Sequence, residues 1–208
     1  MKRYFFFAAL SALPSSFLFA QSETGTVGTF SLGTRNTISM FSDDSGIGVG
    51  LGGQVRVQAG RRINTEWFFD YIPSKNKAIS TRQDYHFGWS IMYYPGQTID
   101  FSNLLQPYLL AGHCFDYSRV AAKNDAAVHA DRWTMATQAG AGTHINITRD
   151  FDCSLSAQYM LHFGKEIETN VDNKGIVSFE KKNPTGPDGH LLFTVSFNYK
   201  LGHLWHKS

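Results

Sequence analysis

Residues 191–201 read LLFTVSFNYKL. Leu191, Phe193, Val195, Phe197, Tyr199 and Leu201 take every second position, with Thr194, Ser196, Asn198 and Lys200 among the residues between them. A two-residue period belongs to a β-strand with one apolar and one polar face. In a soluble sandwich the apolar face turns inward and the polar face meets water. Which way this face points decides the fold, and the neighbouring stretches carry the answer.

The pattern recurs along the chain. In Ile47–Ala59, Ile47, Val49, Leu51, Val55 and Val57 oppose Gly48, Gly50, Gly52, Gln54, Arg56 and Gln58. Trp67, Phe69 and Tyr71 alternate with Glu66, Phe68 and Asp70, and Tyr85, Phe87, Trp89, Ile91 and Tyr93 with His86, Gly88, Ser90, Met92 and Tyr94. Trp133–Ile147 sets Met135, Ala139, Ala141 and Ile145 against Thr134, Gln138, Gly140, Gly142, His144 and Asn146. Phe151–Phe163 sets Leu155, Ala157, Tyr159, Leu161 and Phe163 against Asp152, Ser154, Ser156, Gln158 and His162. Two further segments are extended but less regular: Thr26–Phe41, with Arg35 on its polar side, and Gln106–Ser118, where His113 fits neither face. That predicts eight strands, and no segment has a helical period.

The connectors alternate in length as well. SDDSG, PSKNKAISTRQ, RVAAKNDAAVHAD and the stretch from Glu166 to about Gly189 would share one end; GRRI, PGQTIDFSN and TRD would share the other. An even strand number with short turns at one end and longer loops at the other is the layout of a transmembrane barrel, although PGQTIDFSN is long for a short-turn position.

The polar faces give the direction. They are dense in Gly, Ser, Gln, Asn and Thr, while Lys and Glu concentrate in the connectors. The apolar faces hold Trp67, Tyr71, Tyr85, Tyr93, Trp133, Tyr159, Phe163 and Tyr199 near strand ends, as the aromatic girdles of membrane barrels do. The apolar face of residues 191–201 therefore points to lipid. The strand order, the QPYLLAG segment, the GAGTHINITRDFDCSLSAQYM hairpin and the alternating last strand resemble the eight-stranded outer-membrane barrels of the OmpA/OmpX type. The resemblance covers the chain from residue 21 to 208 and implies an all-β, antiparallel, up-and-down barrel in the outer membrane of a Gram-negative envelope. It also implies contact with outer-membrane lipid and lipopolysaccharide, insertion by barrel-assembly machinery, and a monomer whose loops meet extracellular ligands. Barrels of this type commonly end on an aromatic residue; here LGHLWHKS follows Tyr199, so either Tyr199 or the stretch toward Trp205 closes the last strand.

Residues 1–20 have Lys2 and Arg3, an apolar run broken by Pro14, Ser15 and Ser16, and a small residue, Ala20, before Gln21. That is the layout of a secretory signal peptide. Of 19 Lys+Arg and 17 Asp+Glu, the leader removes Lys2 and Arg3 and leaves 17 of each. A neutral mature chain carries no electrostatic footprint for nucleic acid.

Catalysis finds little support. No His–x–Ser–Asn string of the lipid A deacylases occurs, and strand parity separates His113 from Asp116 and Ser118. His203 and His206 lack a carboxylate partner, and Asn146–Ile147–Thr148 matches a glycosylation sequon beside a tight turn. No catalytic, cofactor-binding or metal-ligating residue is assigned. Cys114 and Cys153 fall on opposite faces of strands separated by a third, which puts them out of bridging reach. Arg35, Arg56, Glu66 and Asp70 come from three successive strands and meet in the lumen, Arg56 reaching Glu66 or Asp70. An eight-stranded interior is just wide enough for side chains to fill, so these charges are expected to plug it. The function expected is structural or surface-interacting; a narrow porin-like channel and a lipid A-modifying enzyme are the alternatives.

Overall fold

The alternation read from the sequence forms the two surfaces of one closed wall. The computed structural model describes residues 26–41, 46–76, 79–96, 98–173, 175–183 and 188–205. The leader, most of the first connector and His206 lie outside the described residues. The strands are β1 (Thr29–Phe41), β2 (Ile47–Gly60), β3 (Ile63–Asn76), β4 (Ser80–Tyr93), β5 (Leu105–Ala122), β6 (His129–Asn146), β7 (Phe151–Phe163), β8 (Glu166–Val171), β9 (Val177–Lys182) and β10 (Asp188–His203). Eight of them form a closed antiparallel barrel in the order β1-β10-β7-β6-β5-β4-β3-β2, with β1 pairing both β2 and β10.

Closure leaves no unpaired edge among the barrel strands, which is the condition for crossing hydrocarbon with β-structure. Outward residues such as Leu32, Val49, Leu51, Phe87, Phe193 and Tyr199 are exposed, whereas Arg35, Gln54, Arg56, Asp70, Gln138 and Asn198 are buried inside. A soluble barrel would show the reverse. None of the eight girdle aromatics is buried. Toward the loop end Tyr71, Tyr85, Tyr117 and Trp133 form a row across four strands, with successive ring centroids 4.9, 5.8 and 4.9 Å apart. Gly88 lets a large inward side chain fit: a Cβ there would lie 2.5 Å from Cβ of Cys114 and 2.7 Å from the Phe68 ring.

His113 joins the lipid-facing side. Its cross-strand partner Trp89 donates its indole N–H to His113 Nε2 at 3.3 Å, and the rings meet edge to face. The ring nitrogen that spoiled the sequence pattern is thus partnered by its neighbour rather than turned inward.

Two connector assignments need correction. The stretch PSKNKAISTRQ is mostly strand, because β3 and β4 stay paired out to Asn76↔Ser80. RVAAKNDAAVHAD is likewise strand at both ends, with β5 and β6 paired to Ala121↔His129. Barrel strands of 13 to 18 residues exceed the roughly 9–11 that span a bilayer. Beyond the apolar belt the outward positions (Lys75, Thr81, Gln83, Arg119) face water, so the hydrophobic period vanishes while the backbone ladder continues. The last connector also contains the β8–β9 hairpin, a separate two-stranded sheet. Its signal was present: Ile167, Thr169 and Val171 alternate, as do Val177 and Phe179, around a turn at Asp172 and Gly175.

β10 runs past Tyr199 to His203, so the last strand does extend toward Trp205. Leu204 N–H then donates to Gly28 O at 2.9 Å. Gly28, at φ 88°, leaves the space above it that the Trp205 indole fills.

Candidate functional site

The lumen holds the molecule's buried chemistry in two compartments. In the half nearer the chain termini, the four residues predicted to meet do so. Arg35 Nη1 lies 2.7 Å from Glu66 Oε1 and its Nε 3.0 Å from Asp70 Oδ1. Arg56 reaches Glu66 at 3.3 Å and, across the barrel, Asp152 at 3.2 Å; Lys200 closes on Asp152 at 3.1 Å. Arg56 does not pair with Asp70, which Arg35 holds instead.

The result is one chain of alternating sign, Asp70–Arg35–Glu66–Arg56–Asp152–Lys200, drawn from five strands. Three cations balance three carboxylates, which offsets the cost of taking each charge out of water. Gln54 accepts from Arg35 at 3.0 Å and donates to Asn198 at 2.5 Å; Asn198 in turn donates to Asp152 at 2.9 Å. Sequence reading placed Asp152 and Lys200 on inward faces without recognising them as the end of this chain, because partners so distant in sequence are joined only by closure of the barrel.

Below this network the connector 94–104 crosses the mouth, which explains its length. Tyr94 and Ile99 are buried and pack with Met92, Tyr108 and Leu110. Ile99 N–H donates to Arg61 O at 2.8 Å, Tyr94 N–H to Arg62 O at 3.1 Å, and the Asn146 amide to Asn103 O at 2.8 Å. Phe101 lies under Lys200, whose Nζ is 4.4 Å from the ring centroid. Asn146 is thereby buried by its own contacts, so the sequon there is a chance match. Asp100 accepts from the amide and hydroxyl of Ser102, at 2.9 and 2.7 Å, and these donors hold its carboxyl below the usual range.

His144 links the connector to the network: its Nε2 is 2.6 Å from Tyr94 Oη and its Nδ1 2.5 Å from Ser154 Oγ. A serine hydrogen-bonded to a histidine is the first element of a nucleophilic site. The enclosed space beside it is about 20 Å³ and is lined by Arg56, Tyr94, Ile99 and His144 among others. That volume suits about one water molecule.

The loop-end half is filled differently. Arg82 Nε lies 2.9 Å from Asp84, and Ser118 donates to Asp84 at 2.6 Å. Asp116 is approached by two imidazoles, His162 Nδ1 at 3.2 Å and His86 Nε2 at 3.6 Å. Arg132 donates to Ser118 at 3.4 Å and to Lys165 O at 3.2 Å. Asp116 and His162 were expected inside; Arg82 was assigned to a connector and Arg132 fell between the connector ending at Asp131 and the strand begun at Trp133, so both were missed. Asp116 and Ser118 point inward and His113 outward, the separation expected from strand parity.

An apolar girdle divides the halves. In β5, β6, β7 and β10 the inward residue one step below Asp116, Thr134, His162 and His190 is Cys114, Ala136, Met160 and Leu192 respectively, and these pack with Phe68 and Ile72. Cys114 is fully buried there, Cys153 is half-buried on the lipid side, and both are free. His203 pairs with Thr29 at 3.3 Å. Among the described residues, no three His, Cys, Asp or Glu side chains are placed to hold a metal.

No protein-family model matches the chain, and no curated protein sequence does either. Among the solved structures similar to it are two outer-membrane proteins. A major outer membrane protein from Thermus thermophilus aligns with TM-score 0.55 at 9% identity, over 83% of this chain and 99% of that one. Neisserial surface protein A aligns with TM-score 0.53 at 15% identity, over 86% of this chain and 100% of that one. At these identities the likeness is one of fold. It agrees with the closed wall, the apolar exterior and the polar interior described above.

Proposed function

We propose that this chain, an eight-stranded outer-membrane β-barrel, is a non-conducting scaffold that displays its loop end, and the β8–β9 hairpin above all, at the cell surface. The observation that carries the reading is the filled lumen. A neutral ion-pair chain, an apolar girdle and a connector at the mouth lie in series along the axis, which supports a non-conducting barrel over a porin. The space beside His144 has room for about one water, too little for a lipid substrate, which supports a role without catalysis.

The apolar exterior suits direct contact with outer-membrane lipid and lipopolysaccharide as a monomer. The exposed aromatic Tyr199 and the end of β10 are what barrel-assembly machinery would engage. The hairpin is the element built for contact. It pairs Glu166↔Lys182 through Val171↔Val177, and its Lys182 bridges Glu168 and Glu180. Protease added to intact cells is expected to cut within residues 164–187 and leave the barrel fragments in the membrane. Cutting that appears only after the outer membrane is permeabilised would reject the display.

A further inference from the structure

The hairpin-bearing connector is rooted on two histidines. His162 is the penultimate residue of β7, and His190 lies two residues into β10. Both point inward with ring centroids 4.8 Å apart, and His86 of β4 stacks on His190 at 5.5 Å with 13° between the planes. All three are at most 5% exposed. Both ring nitrogens of His86, Nε2 of His162, Nε2 of His190 and Oδ1 of Asp116 have no hydrogen-bond partner. Buried polar atoms are ordinarily partnered, and a cluster of exceptions calls for a reason.

The surroundings supply one. Facing the rings are Arg82 and Asp84 from β4, Asp116 and Ser118 from β5, and Arg132 and Thr134 from β6. β1 contributes the Phe41 ring, edge-on to His190 at 5.0 Å, and the inward residues of β2 and β3 at this level are Gly48, Gly50, Ile72 and Ser74, none of them charged. Among these described side chains two guanidiniums and two carboxylates cancel, so they are balanced while the imidazoles are neutral. Histidine is the side chain whose charge ordinarily changes between about pH 5 and 8.

We propose that His86, His162 and His190 form an acid-sensitive latch at the root of the hairpin-bearing connector. His86 Nε2 and the unpartnered Asp116 Oδ1 lie 3.6 Å apart. Protons taken up here put like charges on rings about one diameter apart, beside Arg82 and Arg132. The weakest point is the end of the β7–β10 ladder, Asp188↔His162 to His190↔Met160, where terminal pairs fray at little cost. Acid therefore parts the two stems and re-poses the hairpin, while the terminus-end network stays in place.

That the latch senses external pH rests on the outward display proposed above; the latch itself does not, and purified protein in micelles tests it alone. Hydrogen exchange is compared at about pH 7.5 and about pH 5 after correction for intrinsic rates. Amides of residues 160–163 and 188–192 are expected to lose protection about tenfold in acid, with residues 152–156 and 196–200 unchanged. His162→Gln with His190→Gln should abolish the response. If that pair does not fold, His190→Asn is used with the wild type, reading the reaction of Cys114 with 4,4′-dithiodipyridine, which proceeds in acid. The rate should rise at low pH in the wild type and rise less in the variant. Unchanged protection in the acidified wild type, or an acid response that survives loss of the histidines, overturns the proposal.

Discussion

The two halves of this lumen are lined by opposite means. Toward the termini, six fixed charges alternate in one chain, each with an opposite charge within 3.3 Å. Toward the loops, three imidazoles crowd one carboxylate and several of their nitrogens go unpartnered. The first arrangement pairs every charge with an opposite one and is over-determined by contacts from five strands. The second is built from the side chain that changes charge most easily, and it sits where the ladder ends. An eight-stranded barrel can thus be rigid at one end and adjustable at the other without altering its wall.

The largest effect is expected from breaking the rigid half. Arg56→Ala leaves Glu66 and Asp152 each with one cation fewer in a closed interior, and loss of one partner of a buried pair costs about 3–5 kcal/mol. The urea midpoint in lipid vesicles should fall accordingly, while ligand binding through the loops is retained. An unchanged midpoint would mean that the chain of charges is not what holds this half.

Next comes the divider. Leu192→Ala opens a void in the girdle beside Met160 and Cys114, at a cost of about 2–5 kcal/mol. It should also raise Cys114 labelling in the folded barrel, which Arg56→Ala should not do. Equal labelling in the two variants would show that the halves are not separated at this level.

Tyr94→Phe is smaller. It removes the hydroxyl that His144 Nε2 meets at 2.6 Å and leaves the connector's apolar packing in place, for about 1–2 kcal/mol. Smallest is the lipid face: Trp89→Phe should cost about 1 kcal/mol by stranding His113 Nε2, and adding His113→Phe should recover most of it. A double variant no better than the single one would mean that the Trp89–His113 bond contributes nothing.

What the sequence made legible follows from what each residue faces. Leu191 to Leu201 could be oriented because lipid demands an apolar residue at every outward position. Pro73–Asn76 and Arg119–Ala122 could not, since their outward positions meet water and keep no period, although their backbones pair as regularly as any. Arg35, Arg56, Glu66 and Asp70 were recognisable as a group because β1, β2 and β3 are consecutive. Asp152 and Lys200 complete the same chain from β7 and β10 and come near only when β1 pairs with β10. The connector 94–104 looked too long for a turn; its length is the span needed to cross the mouth and bury Tyr94 and Ile99.

The central claim is that the three fillings in series leave no path for ions. Wild-type protein reconstituted in planar bilayers tests it most directly: the account predicts no steady conductance at either polarity near neutral pH. Stable, wide unit channels from the wild type would contradict it and make the barrel a porin.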